Sequence, residues 1–149
     1  MNENTKVKDF KVIEHTADVG LNVYGKDKEE LFINAARGMF YLTIGSVIAI
    51  APNEYKKYYN IESTGTDVED LLVNWLEDLL FVHNTEFIIF TDFLISAMTE
   101  EMIKAKAGAI KLKGSPYQVT TEIKAVTYHN LRVSQEQSGR WEGTVVFDI

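Results

Sequence analysis

Thr66-Asp67-Val68-Glu69-Asp70-Leu71-Leu72-Val73-Asn74-Trp75-Leu76-Glu77-Asp78-Leu79-Leu80 is the most regular stretch of the chain. Val68, Leu71, Leu72, Trp75, Leu76, Leu79 and Leu80 recur at steps of three and four, the spacing of one helix face. Thr66-Asp67-Val68-Glu69 reads as a capping box that opens the helix, and His83-Asn84-Thr85 as its end. Each large apolar side chain that is fully buried contributes roughly 1.5–3 kcal/mol, so this stripe must be covered, and a sheet is the partner it implies. The opposite face carries Asp70, Asn74, Glu77 and Asp78 and reads as solvated.

Upstream, 56–63 holds Tyr58, Tyr59 and Ile61 and meets Gly65, which predicts a strand and a turn. The tyrosines fit sheet packing better than base stacking, because no basic groove surrounds them. Residues 47–55, broken by Pro52, read mainly as a loop. Leu31, Phe32, Ala35, Ala36, Met39 and Phe40 form a second helical stripe, predicting a helix over 28–44 with Asp27 and Glu30 as its capping box and Gly45 as its stop. Gly38 lies off that stripe at a cost of about 1 kcal/mol against alanine, which marks either close packing or chance. Before it, Phe10-Lys11-Val12-Ile13 and Val19-Gly20-Leu21-Asn22-Val23-Tyr24 read as strands.

Downstream, 86–98 is rich in Phe and Ile and reads as one long strand or two, followed by a strand over 102–113. Ile103, Ala105, Ala107 and Ala109 share one parity while Ile110 and Leu112 take the other, which predicts a bulge or bend near Gly108. Lys104, Lys106, Lys111 and Lys113 then line a wet face. The remainder reads as strands over 122–129, 131–135 and 140–149, with Ser138-Gly139 in the last hairpin turn. The expected fold is a single α+β domain over 1–149, with two amphipathic helices packed on a mostly antiparallel β-sheet.

Composition narrows the chemistry. The 149 residues carry a formal net charge of -7, which argues against a chain devoted to neutralising phosphates, so no strong direct nucleic-acid binding is expected. Cysteine is absent, which removes disulfides, thiolate catalysis and Cys-based metal sites. His15, His83 and His129 show no zinc-motif spacing. No leader-like start and no membrane-length apolar run are present, so the expectation is a soluble cytoplasmic protein.

Chemistry concentrates at Glu14-His15-Thr16-Ala17-Asp18-Val19-Gly20, where polar groups interrupt two apolar runs. Asp18 stands at the edge of a strand, where it can hold a cation or bond local backbone. At the far end Asp148 precedes Ile149, so its side chain and the α-carboxylate are forced close together unless the terminus frays into water. If the fold adds Asp18 to them, three carboxylates converge and calcium or magnesium is the natural guest.

The phrase around Asp18, the helical Glu69-Asp70-Leu71-Leu72-Val73-Asn74-Trp75-Leu76, the strand Thr121-Glu122-Ile123-Lys124-Ala125-Val126-Thr127-Tyr128-His129 and the ending Val145-Val146-Phe147-Asp148-Ile149 together resemble the archease family. The resemblance implies an accessory protein of tRNA splicing, not itself an enzyme. It would activate an RtcB-type RNA ligase at the ligase's GTP and metal site, promoting guanylylation, supporting multiple turnover and altering nucleotide specificity. It also implies a metal site at Asp18, Asp148 and the terminal carboxylate of Ile149, with calcium ahead of magnesium, and an essential lysine at Lys124. His15 stands beside these as a residue that could orient a ligand. Two other readings stay open: a small divalent-metal-dependent phosphohydrolase using His15 as general acid or base, and a chaperone-like modulator of RNA- or DNA-modifying enzymes.

Overall fold

The computed structural model describes residues 9–14, 17–49 and 56–149; His15, Thr16 and the part of the expected loop over 50–55 lie outside them. In chain order the elements are β1 (Phe10–Glu14), β2 (Asp18–Gly25), α1 (Lys28–Ile44), β3 (Lys57–Thr64), α2 (Val68–Glu86), β4 (Ile88–Met98), β5 (Met102–Lys111), β6 (Ala125–Gln135) and β7 (Trp141–Asp148). The strands form two antiparallel sheets, β1-β2-β7-β6 and β3-β5-β4. The α+β architecture expected from the sequence is thus present, with the sheet divided in two.

Both helices begin as their sequences require. Asp27 caps α1 by accepting from Glu30 N–H, and Gly45 ends it in the left-handed conformation at φ 81°. On α2 the capping box sits one residue later than the sequence reading placed it: Asp67 accepts from Asp70 N–H, and Asp70 accepts in return from Thr66 N–H at 2.9 Å. The helix also runs past the predicted stop at 83–85 to Glu86, with Phe87 as its cap at φ 54°.

The two helices join the sheets differently. α1 packs chiefly on β2, then on β4, and also meets β1 and β7, while α2 packs against β3 and β6 and also meets β4. Gly38 turns its missing side chain to the sheet: an added Cβ would stand 2.7 Å from Leu21 Cδ1 and 3.2 Å from Phe10 Cγ, so close packing is its role. Trp75, fully buried, donates from its indole nitrogen to Phe32 O at 3.0 Å and so ties α2 to α1. One apolar cluster runs from Val19, Leu21 and Phe147 of one sheet through both helices to Phe90, Ile103 and Ala107 of the other.

One strand irregularity lies close to where the parity argument put it, on the partner strand, while a second shift on β4, between Ile95 and Ala97, is not foreseen by it. Ladder pairing jumps from Phe90–Ala109 to Asp92–Gly108, so the extra residue is Thr91 on β4, opposite Gly108. A Cβ at Gly108 would overlap the Asp92 carboxylate, which explains the glycine. The segments 122–129 and 131–135, predicted as separate strands, form one strand from Ala125 onward, β6, with 122–124 outside it, and its pairing with β7 is broken between Thr127 and Arg132. Asn130 takes φ 51° inside that break.

The acidic face of α2 is not simply solvated. Glu77 accepts from Val126 N–H at 2.7 Å, Glu69 from Val133 N–H at 3.0 Å, and Asp70 from the Tyr128 hydroxyl at 2.7 Å. On its other flank Asp78 accepts from Ser63 Oγ, and Asn74 donates to Thr64 O at 2.8 Å. The face is therefore used to join β6 of one sheet to β3 of the other, and the periodicity of the sequence could not show that strand edges lay within reach.

Candidate metal centre

Asp18 is the first residue of β2 and Asp148 the last of β7, and the antiparallel register sets them directly opposite each other. Opposed residues share a face, with Cβ atoms roughly 4.5–5.5 Å apart, so the two carboxylates leave the sheet side by side. The alternation along both strands explains the choice of face. Val19, Leu21, Val145 and Phe147 are buried toward the helices, which sends Asp18 and Asp148 to the outer face. On the other side of Asp148 the register brings Ala125 of β6, a side chain too small to cover the pair.

The C-terminal end of β7 is held from both sides. Lys124 N–H donates to Asp148 O at 2.8 Å and Ile149 N–H to Ala17 O at 3.3 Å. The Ile149 side chain is half-buried and packs on the apolar cluster. A frayed terminus, the alternative the sequence left open, is not what these residues form.

Asp18 Oδ1 is buried and has no hydrogen-bond partner among the described residues. An unsatisfied buried carboxylate oxygen beside a second carboxylate is a costly arrangement, and a bound cation would relieve both terms at once. The donors at hand are all oxygens, which suits a hard cation such as calcium or magnesium and disfavours softer transition metals. Among the described residues no group of three or more His, Cys, Asp or Glu side chains gathers at metal-binding distance. Two side-chain carboxylates stand opposite each other here.

Lys124 immediately precedes Ala125, the residue paired with Asp148, is exposed, and forms no ion pair among the described residues. Its backbone is fixed by the bond to Asp148, so its side chain starts from a defined point beside the carboxylates. His15 lies outside the described residues. His83 is a core residue whose Nδ1 bonds Ile88 O at 2.6 Å and whose ring meets Phe40 edge-on, while His129 is exposed in the interrupted part of β6. The sequence reading missed Glu77, which reaches Val126 two residues from Lys124.

Comparison with known proteins places the chain in a family. The model of the Archease protein family matches residues 10–149. The archease of Pyrococcus abyssi is 36% identical over 139 residues, covering 91% of this chain and 95% of that protein. The solution structure of Methanobacterium thermoautotrophicum protein 1598 is similar with a TM-score of 0.73 at 32% identity, over 96% of this chain and all of the other. The crystal structure of an archease from Thermotoga maritima, described as a possible chaperone, has the same fold, with a TM-score of 0.61 at 24% identity over 92% of this chain and 94% of that one.

Proposed function

The chain belongs to the archease family, and from that premise we propose that it is an accessory protein of tRNA splicing that activates an RtcB-type RNA ligase by promoting its guanylylation with GTP, without catalysing a reaction of its own. The observation that carries this reading is the cross-strand pair of Asp18 and Asp148 with the orphaned Asp18 oxygen. Asp18, Asp148 and the α-carboxylate at Ile149 would hold a divalent cation, calcium ahead of magnesium, and the cation would supply concentrated positive charge for phosphate oxygens.

This chain's own residues would do the rest. Asp18 and Asp148 fix where charge is concentrated, because both leave adjoining strands of a hydrogen-bonded ladder. Lys124, anchored through its backbone, would reach a triphosphate or the ligase surface as a second positive group. Such an arrangement acts at a site it does not enclose, since Asp148 and Lys124 are open to solvent. That geometry suits presentation of the site to a partner's GTP and metal centre. Support of multiple turnover and an altered nucleotide preference follow if the tip helps place the triphosphate.

The test mixes the protein with substoichiometric ligase, GTP, calcium or magnesium, and a cleaved tRNA. Turnovers beyond one per ligase, dependent on this protein and lost with Asp18→Ala, are expected. Equal ligation with and without it would refute the reading, and phosphate release by the protein alone with a divalent ion would favour a phosphohydrolase. The description of the Thermotoga maritima relative as a possible chaperone favours a second, broader reading, a modulator of several RNA- or DNA-modifying enzymes. That reading requires stimulation of such an enzyme with the carboxylate pair removed.

A further inference from the structure

β6 is the outer strand of its sheet, so the N–H groups on its free side face no neighbouring strand. α2 answers two of them with carboxylates, Glu77 at Val126 and Glu69 at Val133. The two bonds are alike in chemistry and differ in what lies next to them. Around Val133 the ladder with β7 runs unbroken from Arg132 to Gln135 and closes in a hairpin turn. Around Val126 only Ala125, Val126 and Thr127 pair with β7 before the ladder breaks. So short a pairing would open readily if nothing else held it.

We propose that Glu77 is a positioning residue for the carboxylate site and Lys124. Its bond to Val126 pins the short first arm of β6, and that arm carries both Ala125, paired with Asp148, and Lys124, whose N–H holds Asp148 O. Ile123 and Val126 remain buried and Thr127 Oγ1 still donates to Val146 O, so releasing Val126 N–H loosens the arm rather than detaching it, and Lys124 with the main chain at Asp148 becomes less sharply placed. Glu69 has no such leverage, because the strand around it is secured by the hairpin. The inference rests on reading Asp18 and Asp148 as cation ligands, and it adds a residue that touches neither of them.

The matched pair Glu77→Ala and Glu69→Ala tests it, with Glu77→Gln as the variant that keeps an acceptor oxygen. Two quantities are read on the folded full chain: amide hydrogen exchange at Lys124 and Ile149, and the affinity for calcium ion by calorimetry. Both alanine variants should lower the melting temperature by similar amounts, since each frees one edge N–H. Only Glu77→Ala should speed exchange at Lys124 and Ile149 and weaken calcium, on the order of tenfold, as loss of a residue that orients metal ligands does. Glu77→Gln should recover most of both. Should Glu77→Ala unfold, the comparison of Glu77→Gln with Glu69→Gln carries the same expectation at smaller amplitude. Unchanged exchange at Lys124 in the Glu77 variants, or an equal change in the Glu69 variants, overturns the proposal. Absence of any calcium heat from the unsubstituted protein instead refutes the cation reading, and hydrogen exchange then still decides the role of Glu77.

Discussion

Replacing Asp18 with alanine should make the protein more stable when divalent cations are removed. Asp18 Oδ1 is buried without a partner among the described residues, and leaving a buried polar atom unsatisfied costs about 1–3 kcal/mol. The Asp148 carboxylate across the ladder adds like-charge repulsion of the same sign. Alanine removes both terms and gives up almost no packing, because Asp18 contributes to the outer face of the sheet. For a chain of 149 residues each 1 kcal/mol corresponds to roughly 2–4 °C in melting temperature. Calcium should reverse the order. At a hundred times its dissociation constant it stabilises the unsubstituted protein by about 2.7 kcal/mol and leaves the variant unmoved. Thermal unfolding followed by circular dichroism, first with chelator and then with saturating calcium, measures both halves. Asp18→Ala melting below the parent in chelator, or calcium raising both melting temperatures equally, would refute the reasoning.

Three other outcomes follow from named contacts. Extending the chain beyond Ile149 turns its α-carboxylate into a neutral amide, so calcium affinity and ligase stimulation should fall while the melting temperature stays that of a protein extended before Met1; equal stimulation by the two would exclude the carboxylate. Trp75→Ala should cost about 3–5 kcal/mol in urea unfolding, because the ring is fully buried and its bond to Phe32 O is lost with it. The Tyr128 hydroxyl bond is the main cause holding the Asp70 carboxyl below its ordinary range, and Asp70 in turn pushes the Tyr128 phenol up. A lowered carboxyl stabilises above its unfolded value and ceases to as pH falls through the folded one. A raised phenol stabilises below its unfolded value and ceases to as pH rises through the folded one. Tyr128→Phe should therefore be less stable than the parent near neutrality and converge with it in acid and again in strong alkali; a difference constant with pH would show that the bond is not the cause.

The helices and most strands were legible because they are written in local periodicity. The apolar steps from Val68 to Leu80 and the Asp27–Glu30 cap needed no knowledge of neighbours, since 3.6-residue and two-residue periods follow from backbone geometry alone. Even the bulge opposite Gly108 showed in a parity change along one strand. The resemblance carried by the phrases around Asp18 and Asp148 pointed to those residues, yet not to their distance, because chain separation says nothing about which strands become neighbours.

That neighbourhood was decided by tertiary structure. Whether β2 pairs with β7 depends on how both sheets bury their inner faces against α1 and α2, a global packing problem in which every element takes part. The same holds for Glu69, Asp70 and Glu77. On the helix they are an ordinary acidic face, and only the arrival of β6 brings strand N–H groups to Glu69 and Glu77 and the Tyr128 hydroxyl to Asp70. Periodicity determines which side of an element is apolar, because that is a property of consecutive residues. Which polar groups meet across the fold is set by the docking of elements far apart in the chain, and no local pattern encodes it.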